Sequence, residues 1–136
     1  MEALTGMNTS TTTVLFTDLV ASTELSVQYG ARFDEARRAH DALLRSAVEA
    51  NRGRVIKGTG DGLMGTFDTA ADGIAAARSA QQSIHRLNRQ GREPALSIRV
   101  GLAVGDVSFE ATDCYGQPVI EAARLCAVAG GDQILA

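Results

Sequence analysis

An α+β domain is predicted, with a mixed, mainly antiparallel sheet and helices packed on it. Three features of the 136 residues carry that prediction. Short apolar runs are bounded by turn residues, long stretches of helical periodicity separate them, and the composition is 45% hydrophobic but only 4% aromatic with no Trp. Such a composition suits one compact, alanine-rich aliphatic core. The resulting order is strand, helix, strand, strand, helix, strand. This is the ferredoxin-like βαββαβ plan, extended here by a further helix and strand.

Residues 1–11 (MEALTGMNTST) carry no periodic pattern and are expected to form a flexible tail ahead of a single domain over 12–136. Val14-Leu15-Phe16, stopped by Thr17-Asp18, reads as a strand buried on both faces. Ser22-Thr23-Glu24 then supply cap-type hydroxyls and an acidic first turn. Phe33, Ala36, His40, Leu43, Leu44, Ala47 and Val48 continue with the spacing of one helical face, ended by Gly53. Runs over 54–59 and 63–67 form a hairpin through Gly60-Asp61-Gly62, where Asp-Gly favours positive backbone angles. Thr69-Ala70-Ala71-Asp72 has the form of a capping box and opens a helix whose face holds Ile74, Ala77, Ile84 and Leu87. Leu96, Ile98, Val100, Leu102 and Val104 alternate as a strand, with Gly101 and Gly105 marking bulges or close backbone approach. Pro118 suits a first helical turn, Gly130-Gly131 end that helix, and Gln133-Ile134-Leu135 begin a last strand.

Charge and composition narrow the function. A net charge of −3 argues against a nucleic-acid polymer as partner but leaves a small anion open. Cys114 and Cys126 have no metal-type or CxxC spacing and read as reduced thiols, so the cytoplasm is the expected compartment. No run is long and apolar enough for a membrane helix, and the start lacks the pattern of a signal peptide.

In the predicted topology the hairpin lies beside strand one, so Asp18 and Asp61 become neighbours. Two facing carboxylates repel, and without a counter-charge one must take up a proton. A divalent cation removes the conflict: Mg²⁺ takes oxygen ligands at about 2.0–2.1 Å and uses one or two carboxylates, with water and substrate phosphate completing its shell. The small-residue connection Leu19-Val20-Ala21-Ser22-Thr23 leads into a helix start, whose backbone N–H groups suit phosphate oxygens. Neither GxxxxGK[ST] nor a strand-to-helix GxGxxG is present, which removes the P-loop and dinucleotide classes.

Taken in order, VLFTDLVAST, RVIKGTGDGL, SIRVGLAVGDV and DCYGQPVIEAARLCAVAGGDQIL resemble the class III nucleotidyl cyclase homology domain, in its bacterial and actinobacterial form, from about Thr12 to the last residue. The resemblance implies adenylate cyclase activity, ATP giving 3',5'-cyclic AMP and pyrophosphate, at sites shared in a head-to-tail homodimer with two Mg²⁺ or Mn²⁺ ions each. It implies that Asp18, Asp61 and the Leu19 carbonyl hold metal, that Lys57 and Asp113 read the purine, and that Arg124 stabilises the transition state. Lys57, Asp113 and Arg124 would serve the site whose metals the other subunit holds. The residue types suit those tasks: adenine offers an acceptor at N1 and a donor at N6, matching a lysine donor and an aspartate acceptor, and a planar guanidinium suits phosphoryl oxygens.

Each residue also has a simpler structural explanation. Asp18 and Asp61 are ordinary turn residues taken singly, Lys57 suits a strand edge, Asp113 a loop, and Arg124 a helix pair with Glu121. His40 and His85 are read as structural. Two departures from the resemblance stand out. Ile120 replaces an asparagine one helical turn before Arg124, and a further strand with a triphosphate-binding lysine is expected to be missing after Leu135. Besides a cyclase, the sequence leaves open a weakly active or non-catalytic nucleotide-binding and dimerisation module. It also leaves an aspartyl phosphatase, for which a second Asp would be needed where Val20 stands.

Overall fold

The computed structural model describes residues 8–136. In chain order the elements are β1 (Asn8–Leu19), α1 (Ser22–Tyr29), α2 (Ala31–Ala50), β2 (Arg54–Gly58), β3 (Leu63–Phe67), α3 (Ala70–Asn88), β4 (Ile98–Phe109), β5 (Cys114–Tyr115), α4 (Gln117–Val128) and β6 (Ile134–Leu135). The sheet runs β2-β3-β1-β4-β5, with β6 parallel to β4 beside Val100 and Gly101. The first four strands have the order and antiparallel pairing of the ferredoxin-like plan.

Side-chain alternation separates two cores. Leu15, Leu102, Val100, Ile98 and Phe67 join α2 and α3 on one face, while Val14, Met64, Ala103 and Val107 join Ala122 of α4 on the other. The β1–β4 register places Leu15 opposite Leu102 and Val14 opposite Ala103, so paired residues of the two strands face the same layer. Gly101 allows α4 to lie almost on the sheet: a Cβ there would stand 2.3 Å from the Ala122 carbonyl oxygen and 2.4 Å from the Cys126 nitrogen. Close backbone approach, one of the two readings of Gly101, is therefore the one realised.

Several expectations change. Residues 1–7 lie outside the described residues, but Asn8–Thr11, expected in a flexible tail, begin β1 and pair with β4 opposite Asp106–Phe109. The β-branched Thr9 and Thr11 suit a pleated strand, and a polar run without alternation carries no periodic signal for it. The expected single helix is two, broken at Gly30 (φ 54°, ψ −120°), a conformation open to glycine. α2 also ends before Gly53, at Ala50. Thr69 caps α3 as predicted, accepting from the Asp72 amide at 3.1 Å. Ile74, however, is 45% exposed, and the buried face is Gly73, Ala76, Ala77, Ala80, Gln81 and Ile84. Small residues define that face because α3 sits close over Thr13 and Leu102. In the β2–β3 turn the positive φ belongs to Gly60, not to Asp61. β5 was not anticipated; two residues are too short for a periodic signal.

Candidate active site

Asp18 closes β1 on the α4 face of the sheet, since Val14, Phe16 and Asp18 share parity. Arg99 of β4 stands directly opposite in register. Its Nε and Nη2 donate to Asp18 Oδ2 at 3.1 and 2.7 Å, and its Nη1 donates to the Ala127 carbonyl near the end of α4 at 3.0 Å. Both contacts fall on one carboxylate oxygen, so Oδ1 of Asp18 carries no hydrogen bond among the described residues. Arg99 was not singled out from the sequence. The signal was present in Ile98-Arg99-Val100-Gly101: a lone charge inside an alternating apolar strand.

Asp61 reaches the same place through the β2–β3 turn. Its carbonyl accepts from the Leu19 amide at 3.1 Å, and its Oδ2 accepts from Ser22 Oγ at 2.6 Å. The approach depends on Gly62, where a Cβ would stand 1.9 Å from the Thr17 carbonyl oxygen. Thr17 Oγ1 also accepts from the Leu63 amide at 3.1 Å, pinning the start of β3 to β1. The structure thus brings the Asp61 turn against the Asp18-Leu19 end of β1, 43 positions away in sequence. Because the N–H and C=O of one strand residue point to the same side, the Leu19 carbonyl faces that turn as well. The donor set is two carboxylates and a carbonyl, all hard oxygens, which fits Mg²⁺ or Mn²⁺. Among the described residues no group of three or more His, Cys, Asp or Glu clusters anywhere.

The connection Val20–Thr23 divides. The Val20 amide donates to the Ser97 carbonyl at 2.9 Å, which withdraws Val20 from the expected set of phosphate donors. Ala21 adopts φ 57°, ψ 36° and offers no side-chain cap, so among the described residues the N–H groups of Ala21, Ser22 and Thr23 have no partner at the start of α1.

Lys57 and Asp113 come together across 56 residues: Lys57 Nζ donates to Asp113 Oδ2 at 2.8 Å. Asp113 Oδ1 accepts from the Cys114 amide at 2.8 Å, which fixes the carboxylate plane. The hydrogen bond raises the Lys57 pKa and lowers that of Asp113, so the pair is ionised at neutral pH. No hydrogen bond or ion pair joins it to Asp18 or Asp61 among the described residues. Arg124 is exposed on α4 and makes no ion pair among the described residues; the alternative pair with Glu121 does not form. Ile120 lies one turn away on the same side and is 47% exposed. Cys114 and Cys126 are free and buried, and burial pushes the Cys126 thiol up to about 11. His40 is fully buried, as a structural histidine would be.

No family model matches the chain. A candidate adenylate cyclase of Rhizobium meliloti is 38% identical over 88 residues, covering 64% of this chain and 15% of that protein. The chain therefore spans a small part of that relative's length. Among solved structures, an adenylate/guanylate cyclase/hydrolase from Silicibacter pomeroyi is 28% identical with a TM-score of 0.76, covering 94% of this chain and 76% of that one. The guanylyl cyclase Cya2 is 18% identical with a TM-score of 0.83, covering 96% and 76%, a likeness of fold. In fold and sequence the chain is similar to class III adenylyl/guanylyl cyclase catalytic domains. No helix among the described residues is long and apolar enough to cross a membrane.

Proposed function

We propose that the domain is an adenylyl cyclase, converting ATP to 3',5'-cyclic AMP and pyrophosphate at sites shared between two copies of the chain. The observation that carries this reading is the seating of the Asp61 turn against Asp18 and Leu19. Asp18 Oδ1, Asp61 and the Leu19 carbonyl would hold Mg²⁺ or Mn²⁺, two ions per site, which supply charge stabilisation to the attacking and departing oxygens. The open N–H groups of Ala21, Ser22 and Thr23 receive phosphate oxygens at the positive end of α1. Arg99, beside Asp18, holds the carboxylate oriented through two hydrogen bonds to Oδ2.

The bond from the ribose 3'-oxygen to the α-phosphorus forms as the bond to pyrophosphate breaks, and the hydroxyl proton is lost. Arg124, exposed and without an ion-pair partner among the described residues, offers its guanidinium to the phosphoryl oxygens. Lys57 donates to adenine N1 and Asp113 accepts from N6; guanine presents the opposite polarity on that edge. Their mutual hydrogen bond keeps both side chains in place before the base arrives. The pair makes no direct hydrogen bond or ion pair with Asp18 or Asp61 among the described residues, which is compatible with each set serving a different site of a dimer. Buried free thiols suit a reducing compartment such as the cytoplasm.

A second reading is favoured by Ile120, which offers no donor beside Arg124: a weakly active or non-catalytic module that binds nucleotide and dimerises. An assay with Mn²⁺ and either ATP or GTP, over a range of protein concentrations, separates the two. Cyclic AMP formation from ATP in preference to GTP, specific activity that rises with concentration, and loss of both in Asp18→Ala are expected. Absence of cyclic nucleotide at every concentration leaves the second reading.

A further inference from the structure

We infer that Ser22 is a positioning residue for the cation, acting through Asp61, and not a phosphate ligand through its side chain. The inference rests on the metal site proposed above. Ser22 begins α1, and the hydroxyl of a residue at that place is ordinarily free to meet a phosphate. Here it is committed elsewhere: Oγ donates to Asp61 Oδ2 at 2.6 Å, a short charge-assisted bond across 39 residues. The left-handed conformation of Ala21 turns the chain so that this hydroxyl faces the hairpin.

The consequence is geometric. Asp61 sits in a turn and has no guanidinium partner of the kind that holds Asp18. Its main chain is fixed by the Leu19 amide and its side chain by Ser22 alone among the described residues. With Oδ2 held by Ser22, one rotamer is selected and Oδ1 is left for the cation. Hydrogen-bond partners of ligating carboxylates commonly contribute 10- to 100-fold in metal affinity. Ser22 also carries an open backbone N–H at the phosphate-facing end of α1. One residue therefore joins the two halves of the site, its side chain on a metal ligand and its amide toward phosphate.

The test measures Mn²⁺ binding to the purified chain without nucleotide, from the free Mn²⁺ signal in electron paramagnetic resonance, for wild type, Ser22→Ala, Ser22→Thr and Asp61→Asn. Circular dichroism melts confirm folding. Ser22→Ala is expected to weaken Mn²⁺ binding by roughly 10-fold or more, with Ser22→Thr close to wild type because the hydroxyl is retained. Ser22→Ala binding Mn²⁺ within about 2-fold of wild type, while Asp61→Asn loses it, overturns the inference and spares the metal site. A defect confined to the KM for ATP does the same, because it returns the hydroxyl to phosphate. Failure of wild type to bind Mn²⁺ removes the metal site itself and the inference with it.

Discussion

Gly62→Ala is the sharpest probe of how the site is assembled. A Cβ at this position would stand 1.9 Å from the Thr17 carbonyl oxygen, about 1.5 Å short of ordinary van der Waals contact at 3.4 Å. The obstacle is backbone in the middle of the sheet, so the turn must move instead. Moving it strains two hydrogen bonds, Leu19 N–H to the Asp61 carbonyl and Leu63 N–H to Thr17 Oγ1. At about 0.5–1.5 kcal/mol each, with about 1–3 kcal/mol for overpacking, the expected destabilisation is about 2–6 kcal/mol. A Tm lowered by roughly 10 °C follows for a domain of this size. The larger consequence is at the site, since a displacement near 1 Å is enough to cost about 10²-fold in rate. Urea titration gives the stability and Mn²⁺ titration the site geometry. Gly60→Ala is the control: its φ of +90° is strained for alanine but nothing lies within 4 Å of its Cβ. It is expected to lose about 1–2 kcal/mol with Mn²⁺ affinity kept. Wild-type Mn²⁺ affinity and an unchanged melt in Gly62→Ala would refute the claim that this glycine seats Asp61.

Two further predictions follow from single side chains. Ile120→Asn places an amide donor one turn from Arg124, and because one preorganised donor is commonly worth about 10²–10³ in rate, cyclase turnover is expected to rise by at least about 10-fold, with no rise counting against this placement of α4 residues. Burial lowers the His40 pKa, partly opposed by Asp41 on its own helix and by the charge of Asp61 in the β2–β3 turn. The folded state therefore binds this proton less readily than the unfolded chain. Stability is full above the unfolded value of about 6.5 and falls as pH drops from there through the lowered folded value, by up to about 1.4 kcal/mol per pH unit. Urea midpoints at pH 7.5 and 5.5 should show this loss in wild type and a smaller one in His40→Leu; equal losses exclude His40 as its source.

The parts of the fold visible in the sequence are those set by local chemistry. Val14–Phe16 ending at Asp18, the Gly60-Asp61-Gly62 turn and the Thr69 cap each announce themselves within a few residues. Their combination in the βαββαβ order is what brought Asp18 and Asp61 together on paper. The missed features depend on contacts between distant segments. Arg99 matters because β1 and β4 pair in one register that sets it opposite Asp18. Ser22 reaches Asp61 only because Ala21 takes a left-handed conformation, which no local pattern of small residues requires. The exposed Ile74 shows the same limit from the other side. A helix pressed against a sheet buries Gly73 and Ala76 in preference to a bulkier residue, so a hydrophobicity stripe points a few tens of degrees away from the true contact face.

The Asp18 and Arg99 pair bears on how the cation relates to the fold. A structural metal site leaves its ligands repelling one another when empty, so folding and metal binding become one event. Here the carboxylate at the end of β1 is already neutralised across the sheet by Arg99, and Asp61 is already hydrogen-bonded by Ser22. Asp18 therefore has a counter-charge in the folded chain, and Asp61 has a hydrogen-bond donor that orients it without balancing its charge. The proposed site is thus oriented in the folded chain itself, with one of its two carboxylates already paired. Arg99 also reaches outward: the same guanidinium that holds Asp18 also holds the Ala127 carbonyl, two residues beyond Leu125 on the helix that presents Arg124. A change in the charge around Asp18 is therefore expected to act first on Arg99 and, through the Ala127 carbonyl, on the end of α4.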